Sequence, residues 1–82
     1  MRLPRDISGD ELVSRLSLYG YQRTHQTGSH MQLLAVINGR ECHLTVPRHG
    51  AVRVGTLAQI LRLAAAQIGR SRDELAEELF GG

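Results

Sequence analysis

Apolar positions along the chain change period between segments, and each change marks an element. Leu12, Leu16 and Tyr19 repeat at i, i+4 and i+7 with Val13 alongside, the spacing of one helix face. Ser8 followed three places on by Glu11 has the form of a helix start. The hydroxyl accepts a backbone N–H of the first turn, and the later side chain reaches back. Gly20 supplies the left-handed position that ends such a helix. Thr56 with Gln59 repeats the signature ahead of Leu57, Ile60, Leu61, Ala64 and Ile68, which predict the buried stripe of a second helix stopped by Gly69. Ser71 with Glu74 opens a third, shorter helix with Leu75 and Leu79 as its apolar edge.

Between the first two helices the period falls to two. Asn38-Gly39, flanked by apolar and β-branched residues, is the strongest short-range hairpin signal. A two-residue turn fixes the register, setting Ile37 opposite Arg40, Ala35 opposite Cys42, Leu33 opposite Leu44 and Met31 opposite Val46. Alternation then puts Met31, Leu33, Ala35, Cys42, Leu44 and Val46 on one apolar face, the face the helices cover. The other face holds His30, Gln32, Leu34 and Val36 against Pro47, Thr45, His43 and Glu41, with its polar side chains gathered at the His30 end. A first strand, roughly Tyr21 to Gln26, pairs with the second through a turn at Thr27-Gly28-Ser29. Its alternation is poor, so its faces stay unassigned. The expected architecture is α+β: a helix, a three-stranded antiparallel sheet and a second helix, with the helices on one face, plus a short C-terminal helix.

Length and composition narrow the options. The 82 residues read as one domain spanning 1–82, since two halves would each be too small to fold unaided. Its core is aliphatic, because aromatics make up only 4% of the chain. A single cysteine, Cys42, excludes an internal disulfide and a multi-thiolate metal site within one chain. No apolar run approaches the roughly 20 residues of a membrane span, and the N-terminus lacks the apolar stretch of a signal peptide, so a cytoplasmic protein without membrane contact is expected. The net charge of +2 hides an asymmetry. Residues 1–72 carry ten arginines against Asp6, Asp10, Glu11 and Glu41, a balance of +6, while Asp73, Glu74, Glu77 and Glu78 follow. Guanidinium forks suit phosphate oxygens. A genome rich in arginine codons would leave the same mark, and both readings stand.

Several motifs occur in a fixed order: Leu3-Pro4-Arg5, Ser8-Gly9, Tyr19-Gly20-Tyr21, Gln26-Thr27-Gly28-Ser29-His30, Thr45-Val46-Pro47-Arg48-His49 and Val54-Gly55-Thr56-Leu57. Each is weak alone. Together they make the chain resemble, over essentially its full length, the HicA-type mRNA interferase toxins of bacterial toxin–antitoxin pairs. The resemblance implies a fold similar to the double-stranded-RNA-binding domain. It also implies an endoribonuclease that cleaves mRNA and arrests translation, a cognate HicB-type antitoxin, and catalysis by the histidine of Gly-Ser-His, here His30. Two departures stand out. His25 occupies a place where arginine or another basic residue is expected, and the second helix runs a few residues longer before Gly69 than in shorter relatives.

The chemistry that fits is metal-independent. A base that takes the 2′-OH proton lets that oxygen attack the adjacent phosphorus, and histidine serves because it titrates near neutrality. No cofactor is expected, and DNA by itself is no substrate. Arg48 and His49 follow Pro47, which the register sets opposite His30, so they are the phosphate-contact candidates, with Arg53 a weaker one; a solvated loop is the competing reading. Gly28 suits a tight turn or a close approach of the RNA backbone. Ser29 either positions His30 or a phosphate, or faces solvent. His43 shares the open face but lies four residues along, about 13 Å from His30, too far to share a proton. Cys42 and His43 point to opposite faces and cannot share a metal. A non-catalytic RNA-binding or protein-interaction module with the same fold remains the alternative function.

Overall fold

The computed structural model describes residues 3–48 and 50–81, in which the predicted elements follow in the predicted order. Helix α1 spans Gly9–Leu16 and opens as its spacing requires, with Ser8 Oγ accepting the Glu11 N–H at 3.0 Å. The Glu11 carboxylate, expected to reach back to Ser8, instead pairs with Arg15 one turn on, at 3.1 Å, so only the Ser8 half of the cap forms. A single 3-10 turn, Ser17–Tyr19, follows and stops at Gly20, whose φ of 91° is left-handed. Leu12 and Leu16 are fully buried, whereas Tyr19 and Val13 are only half-buried.

Strands β1 (Gln22–Thr27), β2 (His30–Ile37) and β3 (Arg40–Pro47) form one antiparallel sheet in that order. Every β2–β3 pair expected from the Asn38-Gly39 turn is present, including His30 opposite Pro47 and Leu34 opposite His43. Both turn residues have positive φ, 53° and 77°, as the right-handed strand twist demands of a two-residue turn. The first strand is displaced by one residue from its expected span. Tyr21 leaves the strand because its ring is fully buried and its hydroxyl donates to Gln67 Oε1 on the second helix.

Helix α2 (Val54–Ile68) corrects one expectation: Thr56 with Gln59 does not start it. The Leu57 N–H already bonds to the Arg53 carbonyl at 2.8 Å, so Thr56 sits inside the first turn and Arg53 is the cap, without a side-chain hydrogen bond. The start is set from outside the helix. Val52 is buried, and its N–H bonds to the Ile7 carbonyl at 2.8 Å, which delivers the chain to α2 early. Ala65 is buried, while Ile68 is only half-buried. Helix α3 (Arg72–Phe80) carries the complete reciprocal cap: Glu74 N–H to Ser71 Oγ at 3.1 Å and Ser71 N–H to Glu74 Oε1 at 3.0 Å. These bonds, the Ser71 backbone N–H first among them, hold the Glu74 carboxyl below the usual carboxylate range.

The core lies between the sheet and the helices. Met31, Leu33, Ala35, Cys42, Leu44 and Val46 line its sheet side, as the register predicts, against Leu12, Leu16, Leu57, Ile60, Leu61 and Ala64. Leu75, Ala76 and Leu79 of α3 complete it. Arg15 ties α3 to α1, donating to the Leu79 carbonyl at 2.5 Å and lying 5.4 Å from the Phe80 ring centre. With one sheet face covered by helices, the other is left to solvent.

Candidate active site on the open sheet face

His30 begins β2 and is exposed, set in a row between Thr27 of β1 and Pro47 of β3. The next row on this face is His25, Gln32 and Thr45, and the one beyond is Gln22, Leu34 and His43. Thr45 donates its hydroxyl to Gln32 Oε1 at 2.9 Å, which fixes that amide across the strands. The two rows at the His30 end are polar apart from Pro47, and Leu34 and Val36 bring apolar side chains in among the polar ones further along.

The faces of β1, unreadable from its sequence, follow from a bulge. Arg23 pairs with Leu33 and His25 pairs with Gln32, so Thr24 is an extra residue with no partner of its own. Without it, Arg23 and His25 would share a face by simple alternation. With it, Arg23 lies on the helix side, near Asp10 (3.9 Å) and the Met31 sulfur (3.6 Å), while His25 falls on the open face beside Gln32. Bulges at sheet edges commonly re-aim a side chain in this way.

The turn ahead of His30 is built for shape. Gly28 has φ of +57°, and a Cβ there would meet nothing, so backbone conformation explains the glycine. Ser29 is half-buried and acts through its backbone, its carbonyl accepting the Arg48 N–H at 2.7 Å. That bond closes the loop after β3 onto the turn before β2, which brings the exposed Arg48 to the His30 end of the sheet. His49, the neighbouring candidate, lies outside the described residues. Arg53 caps α2 and makes no hydrogen bond or ion pair to the His30 row among the described residues.

Gly9 matters for a reason its motif does not carry. A Cβ on it would stand 2.0 Å from the Pro47 carbonyl oxygen, so α1 begins in direct contact with the end of β3. A backbone bridge between Ser8 and Ala51 reinforces the contact. The loop carrying Arg48 is thus held by α1 at its root and by Ser29 at its start. This contact gives no periodic signal; a glycine at the first position of a helix, where it is otherwise unfavourable, is the trace it leaves in the sequence.

His30 itself is on open surface. Two grooves among the described residues lie away from it: one is lined by Ile37, Arg40, Leu63 and Gln67 at the far end of the sheet, another by Arg5, Arg15 and Phe80. No group of three or more His, Cys, Asp or Glu placed to hold a metal occurs among the described residues. His43 keeps to its own row, its Nε2 3.8 Å from a Glu41 carboxylate oxygen.

Fold and site together define a small α+β domain whose helices cover one sheet face and leave the other open, with histidines and an arginine at one end. The family model described as the HicA toxin of bacterial toxin–antitoxin systems matches residues 9–66, from the first residue of α1 to within two residues of the end of α2. The chain belongs to that family. It is a toxin of a toxin–antitoxin pair, with a cognate antitoxin as its partner. Searches of the curated proteins and of the solved structures returned no match. Among the described residues, no helix is long and apolar enough to cross a membrane.

Proposed function

We propose that residues 1–82 form one HicA-like toxin domain that cleaves mRNA and so arrests translation, with His30 as a general acid–base group. The observation that carries this reading is the placement of His30: exposed on the uncovered face, at its polar end, with Arg48 clasped alongside by the Ser29 carbonyl. RNA brings its own nucleophile. Removal of the 2′-OH proton lets that oxygen attack phosphorus and expel the 5′-oxygen, leaving a 2′,3′-cyclic phosphate and a 5′-hydroxyl. No metal is needed, and DNA, lacking the 2′-OH, is no substrate. One positioned acid–base group contributes about 10²–10⁴-fold, and a guanidinium at the phosphate adds charge stabilisation. The partner antitoxin is of the HicB type, and the toxin acts in the cytoplasm, where mRNA is translated.

Induced expression of wild type beside His30→Ala tests the proposal. Growth arrest with mRNA cleavage in wild type, both lost in the variant, is the expected result. Cleavage products bearing a 5′-phosphate, or cleavage abolished by EDTA, would refute the mechanism. Arrest by His30→Ala with intact mRNA would favour a non-catalytic RNA-binding or protein-interaction module.

A further inference from the structure

Cleavage through the 2′-oxygen needs two proton transfers, one from that oxygen and one to the leaving 5′-oxygen, and His30 is a single group. The geometry points to a second: we propose that His25 is the acid–base partner of His30, the two imidazoles flanking the scissile phosphate on the open face. The proposal rests on the ribonuclease reading and deepens it.

Register carries the placement. His25 is opposite Gln32, and His30 is two residues before Gln32 on the same strand and the same face. The two histidines are therefore diagonal neighbours, about 7–8 Å apart at the backbone. Two side chains rising from such positions leave a gap suited to a phosphoryl group hydrogen-bonded on both sides, each bond about 2.6–3.2 Å. Both are exposed. The turn at Gly28-Ser29 makes this possible, since unbroken pairing from it sets Thr27 opposite His30, Gln26 opposite Met31 and His25 opposite Gln32; the unpartnered Thr24 lies beyond His25 and sends Arg23 to the helix side. His43, the other described histidine on this face, is excluded by its position two rows from His30.

The proton balance closes without a co-reactant. The neutral histidine takes the 2′-OH proton as the O2′–P bond forms; the protonated one delivers its proton to O5′ as the P–O5′ bond breaks. The pair ends with its protonation states exchanged and resets through solvent. Groups facing His25 are His30 and Gln32 from β2, Thr27 on its own strand, and Thr45 from β3. The other charged or titratable groups around the site are Arg48 beyond β3, the Arg23–Asp10 pair behind the sheet, and His43 with the neighbouring Glu41 further along. Of these, Arg48 is the one whose backbone is held at the His30 end of the sheet. Histidine pairs of this kind produce a bell-shaped dependence of rate on pH.

Single-turnover cleavage of a synthetic RNA spanning a site that wild type cuts, measured between about pH 5 and 9, tests the pair. His25→Ala, His25→Gln and His30→Ala are compared, each checked for an unchanged melting temperature. Affinity is measured separately on the same RNA with a 2′-deoxy sugar at the cleaved position. Wild type should give a bell. His25→Ala and His25→Gln should each lose one limb and about 10²-fold or more in rate, with the affinity for the deoxy RNA unchanged. Loss of the acidic limb would make His25 the base, and loss of the alkaline limb the acid; either supports the pair. A His25→Ala enzyme that keeps both limbs and its rate overturns the proposal while leaving His30 in place. So does a loss that appears wholly in affinity, which would make His25 a phosphate contact. If His30→Ala also cleaves normally, or wild type does not cleave, the ribonuclease reading itself fails and takes the pair with it.

Discussion

Arg48 is held at the His30 end of the sheet by its backbone, whose N–H bonds to the Ser29 carbonyl at 2.7 Å. Its side chain is exposed, and under the proposed function it meets phosphate. Arg48→Ala should therefore weaken RNA binding across sequences and reduce the slope of log K against log salt by about 0.7, the value of one phosphate contact on a single strand. Titrations at several salt concentrations measure this, and an unchanged slope would remove Arg48 from the interface. The sequence marks Arg48 only as a neighbour of Pro47; the clasp is a tertiary fact. His30 is more fully legible, because one turn dictates it. Asn38-Gly39 sets the β2–β3 register, and the register sends alternate side chains to opposite faces, so counting from the turn reaches His30 without further information. Ser29 shows the converse. Its hydroxyl is the group the sequence puts forward, and its carbonyl is the one that holds the loop.

Elements form where expected according to how local their signals are. Caps at Ser8 and Ser71 stand where the spacing places them, because each needs only a turn of its own helix. Thr56 carries the same signature and does not start α2, because Val52 and its bond to Ile7 begin the helix further upstream. Strand β1 has no readable alternation because it is interrupted: the extra Thr24 changes the phase between Arg23 and His25. The approach of α1 to β3 predicts a specific sensitivity. Gly9→Ala would drive a Cβ into the Pro47 carbonyl, backbone that cannot rotate away. The variant should lose about 1–3 kcal/mol of stability as the helix start and strand end part. Chemical denaturation reads the loss. Cleavage should fall as well, since Pro47 and Arg48 shift with it; a variant as stable as wild type would show that the contact yields freely.

Across the whole molecule, Tyr21 joins three elements that the sequence keeps far apart. Its buried ring precedes β1, its hydroxyl donates to Gln67 of α2, and Gln67 Nε2 donates to the His43 carbonyl of β3 at 3.0 Å. Burial, with a smaller contribution from Cys42, pushes the phenol up to about 12. The unfolded chain ionises this tyrosine near 10, so between about pH 10 and 12 the unfolded state binds fewer protons than the folded one and stability falls as pH rises. Below pH 10 that contribution is fully present. Tyr21→Phe should cost about 1 kcal/mol at neutral pH and should flatten the alkaline decline. Melting curves of both proteins from pH 8 to 12 check this, and parallel declines would place the sensitive group elsewhere.

Periodicity and turn chemistry determined the α+β class, the three strands, the β2–β3 register, the apolar sheet face and the open position of His30. They did so because each depends on neighbours in sequence and on alternation that geometry enforces. Tertiary structure alone decided where α2 begins, that Tyr21 belongs to the core, that Gly9 must be bare against Pro47, and which way β1 faces. Those outcomes depend on atoms brought together from distant parts of the chain. The His25–His30 diagonal belongs to the first kind once the turn at Gly28-Ser29 is fixed, because unbroken pairing from it carries His25 to Gln32; the bulge beyond His25, which turns Arg23 to the other face, belongs to the second.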